Sequence, residues 1–131
     1  ETAAFQRCSN LKTVTLSSSL TELNDRVFQS CVSLNNVIIP EKVTSIGYST
    51  FMYCDSLTNI IIPKNVTKLG QQAFCDCNKL TYVSFKNTFG WYLGNSEGTK
   101  TTALSSSDLS NTSIAATYLT SKYYSSYWTR E

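Results

Sequence analysis

Written in rows of 23 residues, the chain aligns Phe5, Phe28, Phe51 and Phe74 without an insertion. Three places later Cys8, Cys31, Cys54 and Cys77 fall into line. The register continues through Leu11, Leu34, Leu57 and Leu80, then Val14, Val37, Ile60 and Val83, then Leu16, Ile39, Ile62 and Phe85. Leu20, Val43 and Val66 make a further column, as do Leu23, Ile46 and Leu69. In the fourth row Phe89 and Tyr92 stand in those two places. A leucine framework with a period between 20 and 29 is the mark of units that cannot bury their apolar face alone and that stack to build one continuous core. Few other arrangements are open to such a chain.

Within each unit the segments LKTVTL, LNNVII, LTNIII and LTYVSF alternate inward and outward positions, the period of a strand. Pro40 and Pro63 end two of them. The strands are expected to pair in parallel from unit to unit. Val43 to Gly47 and Val66 to Gly70 repeat the alternation more weakly, each closing on a glycine suited to a sharp turn. Around Thr50-Phe51 and Ala73-Phe74 the apolar spacing of three predicts a helical turn that packs Phe and Cys inward. The unit therefore reads as strand, corner, short strand and turn.

The runs VTSIGYSTFMYCDSLTNIIIP and VTKLGQQAFCDCNKLTYVSF resemble the BspA-like leucine-rich repeats of bacterial and protist surface proteins, through the joint spacing of Ile-Gly, Phe, Cys, Leu and Ile-Pro. The fold expected is mainly β with some α (α+β): a leucine-rich-repeat-like right-handed solenoid of about four 23-residue coils with a parallel sheet, and a C-terminal cap containing a short helix. The resemblance covers residues 1 to about 93 and implies surface display and an adhesive role. Pro follows the strand where the common leucine-rich motif has Asn or Cys, so functions of other leucine-rich classes do not transfer.

After Leu93 the register fails, and residues 94–131 are expected to cap the repeats of 1–93, since a bare end exposes core and unpaired strand edges. Thr112 to Lys122 reads as a helix with Asn111 as N-cap and with Ile114, Ala115, Tyr118 and Leu119 on one face. Seven of the ten Tyr and Trp residues lie in the last 41 positions, where large rings can cover a coil end. The closing YYSSYWTR is similar to the ends of proteins in the same family, which implies a natural C-terminus near Glu131. The first repeat opens in mid-unit, so the chain is expected to be a monomeric fragment of a longer protein, with repeats missing on the N-terminal side.

Composition narrows the function. There is no His, so Ser-His and Cys-His nucleophile pairs are impossible and the commonest metal ligand is missing. The cysteines follow the 23-residue period and not a zinc-site spacing, and they read as buried structural thiols, with disulfides the lesser alternative. Cys75, beside the ladder, is the thiol expected to be exposed and reactive. The nine carboxylates, among them Glu1, Asp55 and Asp76, read as solvated corner and turn charges and not as a catalytic pair. Asn65-Val66-Thr67 and Asn111-Thr112-Ser113 match the glycosylation acceptor pattern, which matters only in a eukaryotic secretory pathway. A net charge of +2, with Lys and Arg spread along the sequence, argues against nucleic acid, and no apolar run is long enough to insert in a membrane. No catalytic, cofactor or metal site is expected.

What remains is a surface. The outward strand positions Thr13, Asn36, Asn59 and Tyr82 form one column, and Ile38, Ile61 and Ser84 belong to the next, with Ile38, Ile61 and Tyr82 as anchors for binding. β-Branched residues also suit exposed strands without any partner. The function expected is a non-enzymatic, extracellular or cell-surface adhesion module that offers this face to a protein or glycan on a host or neighbouring cell. The alternative is a structural spacer attached to an upstream domain. A contiguous exposed apolar patch on the columns separates the two.

Overall fold

Each 23-residue unit turns its inward apolar column toward its neighbours, and in the computed structural model, which describes residues 2–131, this stacks the units side by side. Glu1 lies outside the described residues. The Phe ladder shows the stacking directly: the rings of Phe5, Phe28, Phe51 and Phe74 lie near-parallel, with successive centroids 5.6, 5.4 and 5.2 Å apart. Leu34, Leu57 and Leu80, then Val37, Ile60 and Val83, then Ile39, Ile62 and Phe85 are all buried in the core.

The first strands of the units are β1 (Thr13–Val14), β3 (Asn36–Val37), β5 (Asn59–Ile62) and β7 (Tyr82–Phe85). β1 pairs in parallel with β3 and β5 with β7, always residue i with residue i+23. The expected continuous sheet is broken in the middle: β3 and β5 share no ladder, and the two units are joined on either side of the gap by the Ser56 N–H to the Val32 carbonyl at 3.1 Å and the Asn65 side-chain amide to the Glu41 carbonyl at 2.7 Å. Pro63 is buried directly after β5 and its carbonyl takes the Val66 N–H, as Pro40 does for Val43.

On a second side β2 (Glu22–Leu23), β4 (Ser45–Ile46) and β6 (Lys68–Leu69) pair in parallel, again 23 residues apart. The chain then departs from its own period. Phe89 and Tyr92 do not take the place beside β6. The last strand, β10 (Tyr127–Arg130), enters there instead, antiparallel to both β6 and β8 (Trp91–Gly94), and β9 (Thr102–Ala103) completes the sheet on the far side of β8. Trp128 faces Leu69 in register, so the column Leu23, Ile46, Leu69 is continued by a residue from the far end of the sequence. Phe89 is left 71% exposed. The reason is chemical fit, because Trp128 stacks on Phe85 and meets Trp91 edge-on, filling the end of the core with three large rings.

The third side corrects two expectations. The segments around each Phe are turns and not helical. Ala3, Arg26, Ser49 and Gln72, and four residues later Arg7, Ser30, Tyr53 and Asp76, have φ between 52° and 63°. Eight non-glycine residues in the left-handed region would each cost ~1–2 kcal/mol. The cost is offset by alternate N–H groups that reach the next unit, as Arg26, Phe28 and Ser30 donate to the carbonyls of Tyr48, Thr50 and Met52 at 2.9, 2.9 and 2.8 Å. Gly47 and Gly70, by contrast, are not among the residues of positive φ. They are glycines because the neighbouring backbone is too close: a Cβ on Gly70 would stand 2.5 Å from the Tyr48 nitrogen.

Helix α1 (Ser106–Ser110) and helix α2 (Thr112–Thr117) pack over β7, and a π-helical turn, Tyr118–Lys122, continues α2. Asn111 Oδ1 accepts the N–H groups of Ser113 and Ile114, both at 3.1 Å, which starts α2 at that residue. Ala115, Ala116, Tyr118 and Leu119 are buried; Ile114, placed on the inward face by its spacing, is exposed. Tyr118 Oη donates to Asp108 at 2.6 Å and ties the π-helical turn to α1.

Candidate functional site

The strand columns are the part of the surface whose outward side chains the repeat sets in rows. Ladder pairing brings Thr13 beside Asn36, Asn59 beside Tyr82, and Ile61 beside Ser84. Thr13, Asn36 and Asn59 are exposed, and Ser84 is half-buried. The three apolar anchors stand out from the chain, Ile38 at 76%, Ile61 at 46% and Tyr82 at 47% exposure. The gap between β3 and β5 falls between Asn36 and Asn59, and between Ile38 and Ile61. Those two pairs are therefore equivalent positions of neighbouring units without ladder bonds joining them.

Beside Ile38 the surface sinks into a depression of about 270 Å³ lined by Val14, Thr15, Leu16, Ser18, Ile38 and Pro40. No single residue type announces it, because it forms where the first two units round their corner. It gives the apolar strip a recess at one end.

The thiols are the most reactive groups a chain without His could offer, and the structure withdraws four of them. Cys31, Cys54, Cys75 and Cys77 are buried and Cys8 is exposed; all five are free. The exposed thiol is thus Cys8 of the first unit and not Cys75. Cys75 Sγ donates to Asp76 Oδ2 at 3.1 Å, and burial, then this carboxylate, push its ionisation up to about 12. Burial likewise pushes Cys31 up to about 11 and Cys77 to about 12. Such thiols are protonated at neutral pH and poor nucleophiles. Among the described residues no group of three or more Cys, Asp or Glu could hold a metal ion, and no helix is long and apolar enough to cross a membrane.

Two carboxylates bridge neighbouring units from turns, as expected, whereas Glu22 lies in β2 and Asp108 in α1. Asp55 Oδ1 accepts the Asn78 side-chain amide at 2.7 Å, and Asp25 Oδ1 accepts the Tyr48 N–H at 2.7 Å, each bond reaching 23 residues onward. Phe89, on a loop held by its own N–H bond to Asn87 Oδ1 at 3.0 Å, is an exposed aromatic residue that the strand columns did not include.

Residues 1–95 match the family model described as the BspA type leucine rich repeat region (6 copies). The chain is similar to a leucine-rich repeat protein from Bacteroides ovatus, at 36% identity and a TM-score of 0.60 over 62% of this chain and 21% of that one. It is also similar to a leucine rich cell surface protein from Faecalibacterium prausnitzii, at 32% identity and a TM-score of 0.61 over 72% of this chain and 24% of that one. The chain thus spans less than a quarter of the length of either. A comparison with curated proteins returns no match.

Proposed function

The chain belongs to the BspA-type leucine-rich-repeat family, and on that premise we propose that it is a non-enzymatic adhesion module, acting at the cell surface, which offers its strand face to a protein or glycan. In this reading residues 1–93 are a right-handed solenoid of about four coils, and 94–131 are its cap. The parallel pairings 23 residues apart and the entry of β10 beside β6 support that division. The surface location rests on the cell surface protein of Faecalibacterium prausnitzii that the chain is similar to.

One observation carries the binding role: Ile38, Ile61 and Tyr82 are all strongly exposed on neighbouring columns, with a recess beside Ile38. Exposed apolar groups gathered on one face mark interaction surfaces more often than inert ones. The test is a binding screen on matrix proteins and glycans that compares the chain with an Ile38→Ser/Ile61→Ser/Tyr82→Ser variant. The variant should lose most of the signal. Equal signals would remove this face from the function and leave the spacer as the better account.

A further inference from the structure

A band of positive charge crosses the stack at the corner that follows the first strands. Lys42, Lys64 and Lys86 line one open depression of about 480 Å³, with Asn65 and a single carboxylate, Glu41. In the sequence these lysines look scattered. They are 22 residues apart on a 23-residue period, so each stands one place earlier in its unit than the one before. With about 4.8 Å between parallel strands and about 3.3 Å per residue, the three run diagonally in steps near ~6 Å.

All three lysines are exposed, and none has a carboxylate partner among the described residues, where the ion pairs are Lys68–Glu97 and Lys100–Glu131. Arg130 brings a fourth cation to the same corner, since its Nη2 donates to the Lys64 carbonyl at 2.7 Å. With Glu41 these groups carry a net charge of +3, more than the +2 of the whole chain. The whole chain's +2 less this +3 leaves −1 on the remainder of the molecule, so the excess positive charge lies at this corner.

We propose that this corner binds a linear anionic glycan, one that bears sulfate or carboxylate groups along its length. The depression is open and its charges form a row, which suits successive anions on an extended chain and not one enclosed phosphate. Lysine ammoniums are hydrated point charges that accept such anions without a fixed geometry. No aromatic side chain lines the depression, so the base-stacking platform of single-strand binders is missing. The preference for a glycan over a nucleic acid rests also on the surface reading above.

The test uses the full chain and a sulfated heparin oligosaccharide as probe, with affinity measured by titration calorimetry. Binding should weaken roughly tenfold or more between about 50 and about 300 mM salt, as counterion release requires. Lys42→Glu/Lys64→Glu/Lys86→Glu should lose at least tenfold in affinity. Lys12→Glu/Lys79→Glu/Lys122→Glu, which changes net charge equally at three other exposed lysines, should stay within about twofold. The Ile38/Ile61/Tyr82 triple variant should bind the probe as the parent does, so this site and the strand face stand or fall separately. No binding, equal losses in both lysine triples, or tighter binding of single-stranded DNA of the same charge would overturn the proposal.

Discussion

The thiol of Cys54 donates to the main-chain carbonyl of Phe28, one unit back, at 3.2 Å. The same bond runs from Cys31 to Phe5 at 3.1 Å and from Cys77 to Phe51 at 3.0 Å. Each Phe carbonyl also accepts the N–H three residues on, as Phe28 does from Cys31 at 3.1 Å, so the thiol uses its second lone pair. A cysteine recurs here because it is small and apolar enough for the core yet still donates. Cys54→Ala should cost about 1–3 kcal/mol in urea unfolding, through lost volume and the lost bond. Cys54→Ser keeps a donor and should fall between the parent and the alanine variant. A serine variant less stable than alanine would show that the bond is incidental.

The buried thiols also set an alkaline limit. Unfolded, each ionises near the ordinary value of 9.0; folded, burial holds Cys31 up to about 11 and Cys75 and Cys77 up to about 12. Cys54 is raised further by burial and by the neighbouring thiols. Between those values the unfolded chain has released protons that the native state retains. Stability is therefore fully present below pH ~9 and should fall by about 1.4 kcal/mol per pH unit for each such thiol above it. Urea midpoints taken from neutral pH to about pH 10.5 would check this. At pH ~8 a thiol reagent should modify Cys8 alone in the native chain, and Cys8→Ser should abolish that fast reaction. Rapid labelling of Cys75 would contradict its burial.

Trp128 replaces a repeat residue that the fourth unit does not provide. It is 2% exposed, faces Leu69 on one side and Leu93 on the other, and stacks on Phe85 with ring centroids 6.0 Å apart. Trp128→Ala should cost about 3–5 kcal/mol and lower the thermal midpoint, while Trp128→Phe keeps a ring and should cost clearly less. The Tyr124 carbonyl takes the Gln72 N–H at 2.5 Å, and the Arg130 N–H reaches the Thr67 carbonyl at 2.8 Å. Both are bonds that the earlier units make to one another. A Trp128→Ala chain of unchanged stability would mean the last strand is an ornament on the stack.

The ladders of Phe, Cys and Leu were legible because stacking imposes one environment on every twenty-third residue, and periodicity is that environment written in sequence. Trp128 beside Leu69 was not legible, since an antiparallel strand from the chain's end shares no period with the units it joins. The left-handed turns were hidden for a different reason: Arg26, Ser30, Ser49 and Tyr53 are held there by bonds to the next unit, and their residue types carry no sign of it. Ile38, Ile61 and Tyr82 were legible as outward positions from alternation alone. The basic corner was missed because Lys42, Lys64 and Lys86 keep a period of 22, which looks like scatter until the units are stacked in their 23-residue register and the lysines fall on a diagonal.

Two substitutions of opposite sign test how tightly the units are held. Gly70→Ala adds a Cβ 2.5 Å from the Tyr48 nitrogen and 2.6 Å from the Gly47 carbonyl carbon, atoms of the neighbouring backbone that cannot rotate away. The units must separate, at a cost of roughly 1–3 kcal/mol or more. Ser30 sits at φ 62°, and its N–H bond to Met52 at 2.8 Å belongs to the main chain. Ser30→Gly keeps that bond and relieves the left-handed strain of ~1–2 kcal/mol, against a larger entropy loss on folding of ~0.5–1 kcal/mol. The net should be a small gain in stability, or none. Ser30→Val, whose branched Cβ tolerates that φ least, should be destabilising in the same urea titration. If glycine proved the more harmful of the two at position 30, the left-handed turn would not be the conformation the stack enforces.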